Sequence, residues 1–323
     1  MKRYYLKIFI LILSPLLLIL NSCKEDVLAP ANINYALPEI KQISVITPII
    51  KTGEPTVVSV TAEQGSSFQW SCDAGSFSSP TTNQTTWTAG DQGGTFTLKC
   101  IVSNSSGSRI ATAPVKVIKI IVPTGVIAYW PFEGDLKDYA GNATMQPNSA
   151  ISADYDDAAV GYGSALFQGE IGDISGALYP TGGANLKMGP SDDFSISFWM
   201  KTTSEENGFV FGRTLNGVTN KGVYLSGGQI RFNVGTKRTR ADMAVNDDTW
   251  HHVIMVKTGI AVTIYIDGND ETSANSITSF SSDGSSVLTF GASTLGNYLG
   301  RIDDLQFYQK ALTTGELDAL FGR

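Results

Sequence analysis

The sequence predicts an all-β protein with two sandwich domains in series. Short runs rich in Val, Ile, Thr and aromatic residues recur along the chain, and clusters of Gly, Ser, Asn and Pro separate them. Only 16% of the 323 residues are charged, a composition that suits exported β-structure better than a helical cytosolic enzyme. At about 100–200 residues per domain, the length accommodates two domains.

The clearest β-signal is a hairpin at residues 250–270. Its turn is Thr258-Gly259, and on its second arm apolar residues occupy every other position from Val262 to Ile266. The arm closes on Asp267-Gly268, a strong turn dipeptide. The first arm is apolar on both faces, which is typical of a central strand between two packed layers. The patterns Trp-His-His-Val and Tyr-Ile-Asp-Gly resemble the hairpin of laminin G-like domains in the concanavalin A-like superfamily.

Residues 1–22 are predicted to be a lipoprotein signal peptide. Basic residues precede an apolar run from Ile8 to Leu20 that is too short to span a bilayer. The run ends in Leu-Asn-Ser-Cys, which resembles the lipobox of bacterial lipoproteins, with Asn21 replacing the usual small or β-branched residue. The resemblance implies cleavage before Cys23, lipidation of this cysteine and anchoring in the outer membrane of a Gram-negative bacterium. The alternative is an ordinary secretory signal with an incidental cysteine.

Residues 23–38 are predicted to be a tether, because they contain two prolines and show no clear periodicity. The tether starts with Lys24-Glu25-Asp26, which resembles the acidic signal that sends some lipoproteins to the outer cell surface. The alternative is that this charged start serves solubility alone.

Residues 39–121 are predicted to form a small all-β sandwich, since β-rich runs recur at short intervals. The runs are Ile43 to Ile46, Val57 to Thr61, Phe68 to Cys72, Thr85 to Thr88, Phe96 to Val102 and Pro114 to Ile121. The stretches around Trp70, Trp87 and Phe96 resemble bacterial PKD-like and immunoglobulin-like modules. The resemblance implies an immunoglobulin-like sandwich, which we expect to act as a spacer.

Cys72 and Cys100 are the cysteines that remain once Cys23 is lipidated. Both lie on inward faces of strands that would be neighbours in such a sandwich, and an exported location permits oxidation. We therefore predict a disulfide, worth about 3 kcal/mol in the loop-entropy model. The alternative is two buried free thiols.

Residues 125–323, after a Val-Pro-Thr-Gly hinge at 122–125, are predicted to form the second domain. The opening from Ala128 to Asn142, the strand Phe194 to Lys201 and the closing strand Leu299 to Tyr308 resemble motifs of the laminin G-like, or pentraxin-like, family. With the hairpin they make four motifs in the family's order, and the resemblance implies a concanavalin A-like jelly-roll sandwich. The tail is predicted to be a short helix with a capping box from Thr313 to Glu316.

A structural calcium ion is the first site that the resemblance implies. In this family a Ca²⁺ ion often lies between the opening loop and the last strand, and it takes about 6–8 oxygen ligands. Clustered carboxylates without a cation would repel one another. The alternative is Asx-turn bonding at Asp138 and Asn142 and a β-bulge at Asp303. The predicted ligands are Glu133, Asp135, Asp138, Asn142 and Asp303, with Asp304 beside them.

Two observations argue against catalysis. Glucanases of the same superfamily carry acidic residues on one face of a strand, but Glu170 and Asp173 are three apart, which places their side chains on opposite faces. His251 and His252 are the only histidines, and adjacent strand residues cannot chelate one metal ion. We expect both to be satisfied core histidines.

A carbohydrate-binding role is the remaining prediction for the second domain. Sugar sites pair an aromatic platform with planar polar groups. Trp199 and Trp250 are assigned to the core. Each candidate on the predicted concave strands and rim loops could equally be packing or surface filler; the candidates are Arg213, Tyr224, Arg231, Asn233, Asn297 and Tyr298.

The charge balance limits the partners. The 23 basic residues fall to 20 without the three in the leader, against 30 acidic residues. This balance argues against nucleic acid and anionic lipid, and the basic run from Lys237 to Arg240 is more typical of a solvated strand end. The sequence therefore predicts a lipid-anchored, surface-exposed protein that binds a glycan without cleaving it. The alternatives are an adhesin for a protein or matrix partner, a structural component among other envelope proteins, and a glycoside hydrolase.

Overall fold

The computed structural model describes residues 36–141, 143–169, 179–180, 186–215, 218–294 and 296–322. The chain divides into two compact units between Lys119 and Ile120. Within the described ranges, all regular structure is β except one C-terminal helix. No helix in this part of the chain is long and apolar enough to cross a membrane.

The N-terminal unit consists of two four-stranded sheets. Its strands are β1 Ile40–Val45, β2 Ile49–Lys51, β3 Pro55–Ala62, β4 Ser67–Ser71, β5 Ser76–Phe77, β6 Gln84–Thr88, β7 Gly94–Asn104 and β8 Gly107–Ile118. The strand orders are β1-β3-β6-β5 and β2-β8-β7-β4. Each of the predicted β-runs overlaps one of these strands, whereas β2 and β5 are too short to give a sequence signal.

Two tryptophans anchor the core of this unit. Trp70 and Trp87 are buried among alternating residues of β3, β7 and β8. Each indole N–H reaches a backbone carbonyl, that of Thr82 at 2.9 Å and that of Ala74 at 3.1 Å. Tryptophan can be buried this deeply because its one polar atom is satisfied.

The C-terminal unit contains the remaining strands and the helix. The strands are β9 Ala128–Trp130, β10 Ile151–Asp154, β11 Ser164–Phe167, β12 Phe194–Lys201, β13 Gly208–Leu215, β14 Val218–Ser226, β15 Gln229–Val234, β16 Lys237–Ala244, β17 His251–Thr258, β18 Ala261–Ile266, β19 Asn269–Asp270, β20 Thr272–Asn275, β21 Val287–Phe290, β22 Ala292–Ser293, β23 Gly296–Asn297 and β24 Gly300–Tyr308. The helix, α1, spans Thr314–Phe321.

Two sheets enclose one apolar core in this unit. Sheet 1 has the order β10-β11-β24-β12-β17-β18-β19, and β9 pairs with β24. Sheet 2 has the order β20-β16-β15-β14-β13-β23-β22, and β21 pairs with β13. The core between the sheets takes alternate residues of the central strands, such as Phe194, Ile196 and Phe198 of β12. This architecture confirms the predicted all-β sandwich class.

The predicted hairpin is β17 and β18, paired antiparallel from Val253–Ile266 to Thr258–Ala261. β17 is apolar on both faces because α1 covers the face opposite the core. Ile254 and Val256 pack with Leu317 and Leu320 of the helix. The helix begins with the predicted capping box, in which Thr313 and Glu316 each bond the other's backbone N–H.

Candidate functional site

The closing strand β24 carries a β-bulge at its acidic pair. Trp199 of β12 pairs with Asp303, but Ser197 pairs with Gln306, so one residue of β12 faces two of β24. Asp304 takes up the extra length with a left-handed backbone, φ 48°. The bulge matches the alternative that the sequence left open for Asp303.

Asp303 holds the loop between β10 and β11, residues 155–163. Its Oδ2 accepts hydrogen bonds from the N–H groups of Ala159 at 3.0 Å and Val160 at 2.8 Å. Its Oδ1 accepts from the N–H of Asp304 at 2.7 Å. Burial raises the pKa of Asp303 to about 8 and the neighbouring Asp304 carboxylate adds to the rise, while these N–H donors oppose it.

Glu133, just after β9, holds the same loop from the other end of the domain. Its carboxylate accepts from the N–H of Tyr162 at 3.0 Å, and its backbone carbonyl accepts from the Tyr155 hydroxyl at 3.2 Å. Gly161 lies against this carboxylate with φ 71°, and a Cβ there would collide with Oε1. Both ends of the domain are therefore joined through one loop.

Asp138 closes the turn after β9. Its Oδ1 accepts from the N–H groups of Tyr129 at 2.9 Å, Ala140 at 2.9 Å and Gly141 at 2.8 Å. The side chain is fully buried. This is the Asx-turn pattern, in which an aspartate satisfies backbone donors that would otherwise be buried without a partner.

The described residues do not fit the predicted calcium ion. Asp138, Asp303 and Glu133 direct their oxygens at backbone N–H donors, and Asp135 accepts from the Lys137 N–H and the Tyr139 hydroxyl. A Ca²⁺ ion needs about 6–8 oxygens directed at one point. Among the described residues no three His, Cys, Asp or Glu side chains are grouped to hold a metal. N–H donors offset the repulsion expected between these carboxylates.

A cavity of about 420 Å³ opens beside this loop, and we call it the rim cavity. Lys201 is the last residue of β12 and Arg301 the second of β24, and the two are cross-strand partners. The other residues that line the cavity come from β11, the start of β24 and the loops around them; they are Asp157, Leu166, Thr202, Thr203, Ser204, Asp248, Leu299 and Gly300.

The walls of the rim cavity form a fixed array of donors and acceptors. Lys201 Nζ lies 2.9 Å from Asp157 Oδ2 and 3.9 Å from Asp248 Oδ1. The Trp250 indole N–H donates to Asp157 Oδ1 at 3.0 Å. Arg301 bonds Asp154 and Asp156 at 2.9 and 3.1 Å. Burial tends to raise the pKa of Asp157, but the hydrogen bonds from Trp250 and Lys201 outweigh it and lower the pKa.

Residues 177–318 match a laminin G-like family model described as the concanavalin A-like lectin/glucanases superfamily. The C-terminal unit contains a concanavalin A-like domain. This confirms the fold that the motifs around Trp199, Trp250 and Asp303 implied.

Solved structures with a similar fold belong to distant proteins. The binding domain of Paraclostridial Mosquitocidal Protein 1 is 16% identical over 61% of this chain and 52% of that chain, with a TM-score of 0.47. The botulinum neurotoxin type G receptor-binding domain is 15% identical over 62% and 51%, with a TM-score of 0.45. Domain 4 of AbnA, a GH43 extracellular arabinanase from Geobacillus stearothermophilus in complex with arabinotriose, is 18% identical over 60% and 97%, with a TM-score of 0.47. This chain thus spans about half the length of the two toxin domains. No curated protein matches the sequence.

The concanavalin A-like domain buries three of the predicted sugar ligands. Tyr224 packs against Phe209 at 5.2 Å between ring centroids, and Asn297 is 2% exposed. Tyr298 is buried, and its hydroxyl donates to the carbonyls of Lys201 at 3.2 Å and Arg301 at 3.0 Å. None of the three can serve as a surface platform.

The other three predicted ligands are partly exposed on sheet 2. Arg213 forms an ion pair with Asp283 at 3.2 Å. Arg231 and Asn233 are separated by one residue on β15. Tyr224 and Arg231 are direct cross-strand partners, so the structure brings these two and Asn233 together, but it does not gather all six candidates at one place. The rim-cavity residues gave no motif of their own, although Lys201 and Arg301 stand at the ends of two recognised motif strands.

The assignment of Trp199 and Trp250 to the core is wrong. Trp199 lies on the outer face of sheet 1, where it stacks on His252 at 4.6 Å between centroids, and Trp250 reaches the Asp157 carboxylate. Both are only partly buried. The error arose because an aromatic residue in a strand motif gives no sign of which face the fold will cover.

The histidines are buried and hydrogen-bonded, as expected. His252 Nε2 lies 2.8 Å from Ser197 Oγ, and His251 lies between Asp267 at 2.7 Å and Asp247 at 3.0 Å. Burial alone would lower the pKa of His251, but the two aspartates outweigh it and raise the pKa.

This raised pKa predicts a pH-dependent stability. A group whose folded pKa lies above its unfolded value of about 6.5 contributes fully below that pH, and the contribution is lost as pH rises through the folded pKa. We therefore expect the Tm of the wild-type protein to fall between about pH 6 and pH 9, the range over which this histidine titrates. The fall should be shallower in His251→Gln. Equal slopes for the two proteins would contradict this role of His251.

The predicted disulfide is absent from the N-terminal unit, where Cys72 and Cys100 are free. The strand register explains the difference, because β4 and β7 pair Cys100 with Trp70 and leave Cys72 beyond the last paired residue of β4. Burial raises the pKa of Cys100 to about 11.

We expect iodoacetamide to modify the partly exposed Cys72 in the folded protein and to leave Cys100 unmodified until urea is added, because the thiolate is the nucleophile. Peptide mapping without reductant should recover both thiols. A linked peptide pair would show that the disulfide forms after all.

Several predictions fall outside the described residues. These are the signal peptide, the lipidated Cys23, most of the tether, Asn142 and the acidic pair Glu170 and Asp173.

Proposed function

We propose that this protein is a non-catalytic surface lipoprotein whose concanavalin A-like domain binds a glycan in the rim cavity. The observation that carries the proposal is the cavity's mixed polarity. Lys201 and Arg301 supply charged donors, Asp157 and Asp248 supply acceptors, and a volume of about 420 Å³ lies between them. Ligand sites commonly measure about 300–1,000 Å³.

Sugar recognition needs such a surface, because each hydroxyl both donates and accepts. The hydroxyls of Thr203 and Ser204 add further polar groups along one wall. Asp157 is held from two sides by Lys201 and Trp250, so its position is fixed before any ligand arrives. Groups that are already ordered lose little entropy when a ligand binds.

The electrostatics of the rim cavity favour binding over hydrolysis. A glycosidase needs one carboxyl group whose pKa is raised so that it can protonate the leaving oxygen. Here the hydrogen bonds from Trp250 and Lys201 lower the pKa of Asp157, so this carboxyl group is not suited to act as a general acid.

A glycan array probed with the purified full chain, followed by calorimetry with the selected glycan, tests this proposal. We expect Asp248→Asn to weaken binding by about tenfold, the equivalent of ~1.4 kcal/mol. The substitution should fold normally, since Asp248 has a left-handed backbone, φ 64°, that asparagine adopts readily. Asp318→Asn on the exposed face of α1 is the matched control. An array without any signal, or an unchanged affinity in Asp248→Asn, would overturn the proposal, and a captured protein partner would favour an adhesin.

The anchoring part of the proposal rests on the lipobox-like sequence ending at Cys23. Lipidation there, with the acidic residues that follow, would tether the concanavalin A-like domain to the outer membrane of a Gram-negative cell, with the N-terminal sandwich as a spacer. Radiolabelled palmitate should label the wild-type protein in cells and not Cys23→Ser. Equal labelling of the wild-type protein and the Cys23→Ser variant, or no labelling of either, would contradict lipidation at Cys23.

A further inference from the structure

Sheet 2 brings three arginines together on the face turned away from the core. Arg231 of β15 is the direct cross-strand partner of Arg240 of β16, and Asn233 is the partner of Arg238. Ile230, Phe232 and Val234 of β15 point into the core, so the residues between them share the opposite face. We call Arg231, Asn233, Arg238 and Arg240 the arginine face.

Three polar atoms of the arginine face lack partners among the described residues, although Nη2 of Arg231 donates to the Ser226 carbonyl at 3.3 Å. Nε of Arg231, Nε of Arg240 and Oδ1 of Asn233 are buried without a hydrogen bond. One ion pair within the described chain reaches the face, Arg240 to Asp242 at 3.8 Å, and both its side chains are substantially exposed. Such a pair is worth about 0–1 kcal/mol. Burial, and then the charges of Arg238 and Arg240, lower the pKa of Arg231.

This arrangement is unfavourable without a ligand. Like charges directly opposite on a sheet repel, and buried donors without partners cost free energy. The acidic residues of the chain outnumber the basic ones, 30 to 23, yet in the described ranges Asp242 is the one carboxylate within ion-pair distance of these arginines. An anion with planar, bidentate oxygens would satisfy both the charge and the free N–H groups.

We propose that the arginine face binds an acidic polysaccharide through its carboxylate or sulfate groups. Asn233, with one amide acceptor and two donors, would bind the hydroxyls between the charged groups. The net charge of −7 opposes a polyanion as dense as double-stranded DNA. The site belongs to sheet 2 and does not depend on binding in the rim cavity on sheet 1.

Affinity electrophoresis of the purified full chain tests this proposal, with polygalacturonate, heparin, dextran and double-stranded DNA as separate gel additives. We expect retardation by polygalacturonate or heparin, which distinguishes carboxylate from sulfate recognition, and none by dextran. Arg238→Gln should reduce the affinity, and Arg231→Gln/Arg240→Gln should reduce it by about tenfold, which corresponds to ~1.4 kcal/mol.

Lys187→Gln is the matched control, because Lys187 is exposed in the same unit and its loss changes the net charge equally. Asp248→Asn in the rim cavity should leave retardation unchanged, which separates the two sites. The proposal is overturned if neither acidic polymer retards the protein, if Lys187→Gln weakens binding as much as Arg238→Gln, or if DNA binds as tightly as the polysaccharides. Arg238 is exposed, so its variant remains informative if the double variant unfolds.

Discussion

Asp138→Ala is expected to destabilise the concanavalin A-like domain by about 3 kcal/mol or more, because it leaves buried N–H groups without an acceptor. Those groups belong to Tyr129, Ala140 and Gly141, and all three bond the same oxygen, Oδ1. Asp138→Asn keeps an oxygen at that position, and the bond it loses is the long one from Ala143 at 3.4 Å. We therefore expect the asparagine variant to cost below about 1 kcal/mol.

Urea denaturation of the three proteins, followed through the transition of the C-terminal domain, measures both values. The comparison also decides between hydrogen bonding and calcium. A calcium ligand would lose affinity with either substitution, since asparagine carries no charge. If Asp138→Asn is as unstable as Asp138→Ala and EGTA lowers the Tm of the wild-type protein, a calcium ion in this loop would be supported.

Asp303→Asn is expected to be as damaging as Asp303→Ala, in contrast to Asp138, with a loss of about 2–4 kcal/mol. Both oxygens of Asp303 accept backbone N–H groups, two at Oδ2 and one at Oδ1. An amide has a single oxygen, so its NH₂ group must face at least one N–H donor in a fully buried position.

Asp156→Asn is the control for this experiment, since Asp156 lies in the same loop with a side chain that is 82% exposed. Its ion pair with Arg301 should contribute about 0–1 kcal/mol. A harmless Asp303→Asn variant, or an Asp156→Asn variant that is equally unstable, would contradict the role assigned to Asp303.

Local sequence predicted the elements that local physics controls. The alternation in β18 and the turns at Gly259 and Asp267-Gly268 set the hairpin, and each of these turn residues has a positive φ. The Thr313–Glu316 pair set the start of α1, because a capping box needs four consecutive residues and no distant partner. The apolar outer face of β17 correctly indicated a second packed layer, although nothing in β17 showed that the layer would be a helix.

The surroundings of the predicted site residues, in contrast, depend on distant parts of the chain. The acidic residues around Glu133 and Asp303 were recognised, but their oxygens bond N–H groups of residues 159–162, a loop without a motif. Tyr224 and Tyr298 looked like platforms in the sequence and are buried in the fold. In each case the outcome depends on which distant segment covers the side chain.

By itself the sequence determined the all-β class, the hairpin, the helix cap and the family resemblance, because strand periodicity, turn chemistry and capping act over a few residues. Only the tertiary structure decided that Lys201 would meet Arg301 at the rim cavity and that Arg231 would face Arg240 across two strands. It likewise decided that backbone donors would take the oxygens predicted for calcium. Strand register and loop placement set these contacts, and both depend on how the whole core packs.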